Sequence, residues 1–203
     1  RGLREDFRPV QEAGQMSSYD ALAASYDALT VDVEYRRRAD YLTRQFHRSA
    51  LPVETVLDLA CGTGTMACLL AERGYRMIAV DGSEEMLTQA AWKAAALEQP
   101  PMFLHQSMPR LHLGMEVDAA ISTLDALNYL TRTADLRETL RRVYRWLRPG
   151  GQFIFTVEHP VFTAEGSQDW VYGENGEIRH FPVDNYYREG PRTAHFLGET
   201  MTK

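Results

Sequence analysis

Apolar residues along this chain follow two rhythms. Short and nearly unbroken runs at Val56–Leu59, Met77–Val80, Met102–Leu104, Val117–Ser122 and Gln152–Val157 have strand length and are bounded by turn residues. Between them the apolar spacing lengthens to that of a helix face. Tyr35, Ala39, Leu42 and Phe46 mark a stripe on a helix from about Val33 to Phe46. Leu136, Leu140, Val143 and Leu147 mark another, on a helix capped by Thr133. Leu22, Tyr26 and Leu29 share one face of an earlier helix over 19–29, capped by Ser17 or Ser18. A helix opening at Thr65 stops at Gly74, and Ser83 caps the next, with Glu84 and Glu85 in its first turn and Pro100-Pro101 ending it. Strand alternating with helix predicts an α/β chain: a Rossmann-like parallel sheet with helices on both faces.

The pattern changes near the C-terminus. Trp170–Phe181 reads as a hairpin turning at Asn175-Gly176, and Phe196-Leu197-Gly198 opens a further extended piece. This divides the chain into a flexible N-terminal arm over 1–16, a ligand-binding domain with a helical cap over 17–160, and a β-rich lid or insertion over 161–203.

Candidate chemistry concentrates in Val56–Thr65, VLDLACGTGT, followed by the second strand ending at Asp81. Strand, glycine turn, helix and strand make one βαβ unit, in which Gly62 and Gly64 remove side chains where the backbone bends and a ligand approaches. Asp81, at the carboxyl end of its strand, is placed to accept hydrogen bonds from two ribose hydroxyls. Charge separates the nucleoside cofactors. Gly62-x-Gly64-x-x-Ala67 fits the dinucleotide fingerprint, which keeps an NAD(P)-dependent Rossmann oxidoreductase open as an alternative. Asp58, four residues before Gly62, would repel a pyrophosphate and suit an ammonium or sulfonium. S-adenosyl-L-methionine carries both, with a ribose and no phosphate.

These stretches resemble the first two motifs of the class I S-adenosylmethionine-dependent methyltransferases. Three more resemble later motifs in the same order: Gln106-Ser107-Met108, the strand Val117–Ser122, and Leu147–Gly151. The resemblance covers roughly 17–160 and implies residue roles. Asp58, Ala60, Gly62 and Gly64 border the amino-acid part of the cofactor, and Asp81 and Gly82 its ribose. Met86, Gln106, Ser107 and Met108 border adenine, although core packing is the other explanation for Met86 and Ser107 stands where relatives often hold an aspartate. Leu124 backs onto the cofactor. The Tyr19-Asp20 and Tyr26-Asp27 pairs resemble the aromatic-acid repeat of a covering helix, so Tyr19 and Tyr26 either touch cofactor or pack that helix. Arg36, Arg37 and Arg38 are either solvated charge or, for Arg38, a partner for the cofactor carboxylate. Asp125 and Asn128 either face substrate or, for Asp125, cap a short helix. His159, after the fifth strand, is the candidate general base and substrate contact, the alternative being a structural hydrogen-bonding role. The family sheet continues with a helix and two strands, one antiparallel, and this sequence stops at Lys203 before a match to them. Either the sequence is a truncated piece, or the open edge is completed by the insertion or by a partner, including a second copy.

Composition narrows the partners. A net charge of −6 argues against a general nucleic-acid or membrane-surface binder, which would reward a basic face. Two cysteines outside any spaced framework point to a reducing compartment and no metal, and a cytoplasmic location is the expectation. The segment after the fourth strand lacks the Asn-Pro-Pro-Tyr type of run found in amino-methylating nucleic-acid enzymes. The expected reaction is in-line methyl transfer to an oxygen or nitrogen of a small molecule; an inactive cofactor-binding domain is the other reading.

Overall fold

The computed structural model describes residue 23 and residues 25–157, 169–183, 193–196 and 199–202. The N-terminal arm, most of the expected first helix, Tyr19 and His159 lie outside these residues. In chain order the helices are α1 (Tyr26–Leu29), α2 (Tyr35–His47), α3 (Thr65–Ala71), α4 (Glu84–Ala94) and α5 (Thr133–Trp146). The main strands are β1 (Thr55–Leu59), β2 (Arg76–Asp81), β3 (Met102–His105), β4 (Val117–Ser122) and β5 (Leu147–Phe155).

These five strands form one parallel sheet in the order β3-β2-β1-β4-β5. Every residue of β1 and β4 is buried, as a strand covered on both faces requires. Side chains alternate between the faces. Val56, Met77, Ala79, Ala119 and Ile121 pack under α2 and α3, against Ala39, Leu42, Phe46 and Leu70. Leu57, Leu59, Ile78, Val80 and Ala120 face the other way, toward Val143 of α5 and Leu111. Burying one such leucine is worth about 1.5–3 kcal/mol, so the two clusters supply the bulk of the folding drive.

The strands are tied at their amino ends by one carboxylate. Asp118 Oδ2 accepts the backbone N–H groups of Glu54 (2.9 Å) and Thr55 (2.8 Å), and its Oδ1 accepts from the Arg148 guanidinium. These bonds outweigh burial, which acts first to raise its pKa, and hold the carboxyl below its usual range.

Three expected boundaries shift. Thr133 is the first residue of α5, not its cap; Arg132, in extended conformation, takes the N-cap position and its carbonyl accepts from Asp135 and Leu136. Helix α4 ends at Ala94, ahead of the prolines. The Pro149-Gly150-Gly151 break lies inside β5, where pairing jumps from Val117↔Leu147 to Ala119↔Gln152. Gly151 suits that bulge because a Cβ there would sit 2.8 Å from the Asp118 carbonyl oxygen.

The expected hairpin is present. Strands β6 (Val171–Tyr172) and β7 (Ile178–His180) pair antiparallel, with Gly176 at φ +78° in the turn and the Trp170 and Phe181 rings edge-to-face at 5.2 Å. A second antiparallel pair joins β8 (Thr193–Phe196) to β9 (Glu199–Thr202). No helix among the described residues is long and apolar enough to cross a membrane.

Candidate active site

The order β2-β1-β4 places a switch point at the carboxyl end of β1, where the crossovers leave in opposite directions and ligands bind in open α/β sheets. Cα pairing between β1 and β4 stops at Asp58↔Ile121. Beyond it the chains separate around a cavity of about 400 Å³. Ala60, the residue after β1, and Thr123, the residue after β4, both line it.

Asp81 organises one wall. Its Oδ2 accepts the Gly62 N–H at 2.8 Å and its Oδ1 the Ser83 N–H at 2.9 Å, which fixes the glycine turn to the end of β2. A carboxylate oxygen offers more than one lone pair, so both remain able to accept from a ligand. Ser83 then caps α4, its hydroxyl accepting the Met86 N–H at 3.2 Å, and this seats Met86 in the wall. Gly62 has φ +55° and Ala60 has φ +61°, a left-handed conformation that costs a residue with a Cβ about 1–2 kcal/mol.

Of the residues singled out from the sequence, Tyr26, Ala60, Gly62, Asp81 and Gly82 line this cavity, as do Met86, Gln106, Ser107, Met108 and Leu124. Others stand elsewhere. Gly64 does not line it; a Cβ there would meet Ala90 Cβ at 2.8 Å and Phe103 at 3.2 Å, so this glycine lets α3 and α4 close on the sheet. Arg38 does not line it either, and its Nε donates to the Val33 carbonyl at 2.8 Å. Asn128 is exposed and outside the wall, in a turn over 126–129 whose N-cap position Asp125 occupies at φ +60°. Gln106 reaches the wall, but its amide is spent on the chain: Oε1 accepts the His112 N–H at 2.7 Å and Nε2 donates to the His112 carbonyl at 3.0 Å.

Tyr35, Thr63, Tyr129 and Leu130 also line the cavity and were not singled out as site residues. For Tyr35 the signal was visible as an apolar stripe position, yet the same stripe serves core and cavity. Burial, with Tyr35, Tyr129, Asp81 and Asp27 nearby, pushes the Tyr26 phenol up to about 12, so it stays neutral. The Cys61 thiol is raised well above its usual value by burial and by Asp58 and Asp81, which leaves it a poor nucleophile.

Asp58, expected to border the cofactor, does not line the cavity; it is buried in β1, two residues before Ala60. It is 1% exposed, on the same strand face as Val56, and neither carboxylate oxygen has a hydrogen-bond partner. Burial first, then the neighbouring Asp81 charge, raises its pKa to about 7. An orphaned buried carboxylate is costly and is relieved by a cation. No lysine or arginine stands among the described lining residues. A lining that holds Asp81 and no basic side chain, with the Asp58 carboxylate buried close to Asp81, fits a ribose-bearing cation better than a pyrophosphate. Among the described residues no group of His, Cys, Asp and Glu could hold a metal ion.

Comparisons with known proteins agree. The family described as Methyltransferase domain matches residues 56–151. YqeM of Bacillus subtilis, a protein named as a methyltransferase, is 35% identical over 160 residues, 78% of this chain and 63% of its own length. A crystal structure titled as an S-adenosylmethionine-dependent methyltransferase of Listeria monocytogenes is 38% identical, covers 79% of this chain and 74% of its own, and superposes with a TM-score of 0.58. Another, from Clostridium acetobutylicum, is 30% identical with a TM-score of 0.64 over 72% of this chain and 60% of its own. The chain thus spans less than two thirds of the YqeM relative. A carboxylate-gripped glycine turn, a cation-seeking Asp58 and these relatives converge: the chain belongs to the S-adenosylmethionine-dependent methyltransferases, with S-adenosyl-L-methionine as its cofactor.

Proposed function

We propose that this chain transfers a methyl group to an oxygen or nitrogen of a small molecule. The observation that carries the reading is the composition of the cavity lining. Tyr26, Tyr35, Tyr129, Thr123 and Leu130 contribute rings, hydroxyls and an aliphatic chain to it, and no basic side chain for a phosphate backbone stands among the described lining residues.

When bound, S-adenosyl-L-methionine supplies an electrophilic methyl group on a sulfonium. The chain's part is to bind, orient and exclude water. Asp81 holds the ribose hydroxyls, and the Gly62 backbone lets the ligand lie close to the turn. Asp58 complements positive charge, while Met86 and Met108 give an apolar seat for the base. Tyr26 and Tyr35, neutral phenols on the cap side, shield the cavity from solvent. An acceptor that must lose a proton needs a base, and we assign that role to His159, four residues after the end of β5 in the sequence.

Methyl transfer from isotopically labelled cofactor to a panel of small alcohols, phenols and amines, with transfer RNA and total protein as further acceptors, tests this. Transfer to a small molecule supports it. Labelling of nucleic acid or protein alone overturns it, and cofactor binding with no transfer anywhere points to an inactive domain. With an acceptor in hand, His159→Gln should lower kcat about a hundredfold and leave cofactor affinity unchanged.

A further inference from the structure

Over the Gly62 side of the cavity, where Tyr26 Cε1 would stand 4.0 Å from a Cβ on that glycine, the described residues from α1 to Val33 have little apolar anchorage. Neither α1 nor the turn at Val31–Val33 contains a buried residue, and Leu29 and Val31 are exposed. A polar cluster around Asp27 connects α1 to the body of the domain. Asp27 Oδ1 accepts from the Thr63 hydroxyl at 2.6 Å and more weakly from Thr65 at 3.4 Å. Asp27 Oδ2 faces the Lys93 ammonium at 2.7 Å. Lys93, in the last turn of α4, also donates to Thr63 Oγ1 at 3.1 Å and to Thr65 Oγ1.

Three elements distant in sequence therefore meet in one network. Burial acts to raise the Asp27 carboxyl, but the bonds from Lys93 and the threonines outweigh it and hold the group below its usual range. It is ionised at neutral pH, so the attraction to Lys93 is in force there. Position links the network to the cavity: Tyr26, one residue before Asp27, lines it, and so do Thr63 and Thr65. Thr63 also separates the two glycines of the turn. Strength matters equally. The Asp27 side chain is 52% exposed and that of Lys93 28%, and pairs so open to water are weak and screened by salt. A contact of that kind holds a small flap closed most of the time and still lets it open.

We propose that Asp27 and Lys93 form a latch that keeps the α1 cap closed over the cofactor and sets how fast cofactor and product exchange. Neither side chain lines the cavity. Both are positioning residues, acting through Tyr26 and Thr63. The proposal rests on S-adenosyl-L-methionine occupying this cavity.

The test is the dissociation rate of S-adenosylhomocysteine, measured by stopped-flow displacement with the full chain as wild type, D27N, K93M and K93R. Dissociation should quicken about three- to tenfold in D27N and K93M, while K93R stays within about twofold of wild type. Wild-type dissociation should also accelerate as salt rises from about 50 to about 500 mM, and K93M should lose that dependence, which a purely structural role would not predict. Variants that fold and release product at the wild-type rate overturn the latch alone. So does a K93M chain that fails to fold, because the pair would then support the body of the domain. A wild type that binds neither cofactor nor product overturns the cofactor reading and the latch with it.

Discussion

The two sides of the cavity are held by different forces. On the β1–β2 side every residue of β1 is buried, and two backbone N–H groups fix Asp81 within 2.9 Å. On the cap side no residue of α1 is buried, and an aspartate, a lysine and two threonine hydroxyls join it to the sheet domain. Buried apolar area is worth about 25 cal/mol per Å² and is indifferent to dilute salt, whereas an exposed ion pair is worth under about 1 kcal/mol and fades with salt. One side is a preorganised wall and the other a removable cover. The difference suits a domain that must grip a cofactor and later let its product go.

The wall can be challenged most severely at Gly64. Alanine there would keep φ +71° and press its Cβ to 2.8 Å from Ala90 Cβ, so urea unfolding should show a loss of about 2–5 kcal/mol. A variant as stable as wild type would mean that α3 and α4 are not closed as described. Next is Asp81→Ala, which removes the ribose acceptor and the anchor of the Gly62 turn. Calorimetric titration should find S-adenosyl-L-methionine affinity reduced about ten- to a hundredfold, equivalent to about 1–3 kcal/mol.

Asp58 tests whether the wall is built for binding at a cost to stability. Its folded pKa of about 7 lies above the unfolded value of about 3.9. Between those values the folded chain holds the extra proton. Stability should therefore fall as pH rises from about 4 to about 7 and stay low above that. Asp27 and Asp118, whose carboxyls are lowered, act with the opposite sign and only in the acid range below about 4. Asp58→Asn should flatten the profile, gain about 1–2 kcal/mol at pH 8, and weaken cofactor binding. Denaturant titrations at pH 6 and pH 8 decide the sign. The smallest effect belongs to Ala60→Gly, where relief of the φ +61° strain is offset by a more flexible unfolded chain. Thermal unfolding should detect a change within about 1 kcal/mol.

Much of the wall was legible in the sequence because local rules dictate it. Five apolar runs became the five sheet strands, Ser83 became a cap, and Asp81 became the carboxylate at the strand end beside Gly62. Contacts made at a distance were hidden. Nothing local announces that Lys93 will meet Asp27, 66 positions earlier, or that Gln106 will spend its amide on His112. Conformation was equally silent at Leu124 and Asp125, which adopt φ +55° and +60° without the glycine that would advertise a left-handed turn. Tyr35 shows a third limit: a ring on an apolar helix stripe looks the same whether it ends in core or in cavity.

The carboxylate of Asp118 has a mechanical consequence. It staples the start of β1 to β4 at the end of the sheet remote from the cavity, while Cα pairing of the two strands ends at Asp58↔Ile121. The two strands are paired almost to their carboxyl ends, so only the loops beyond Asp58 and Ile121 lie outside the ladder. Accommodating ligands of different girth then falls to those loops, and amide hydrogen exchange at Thr55 should be the same whichever ligand is bound.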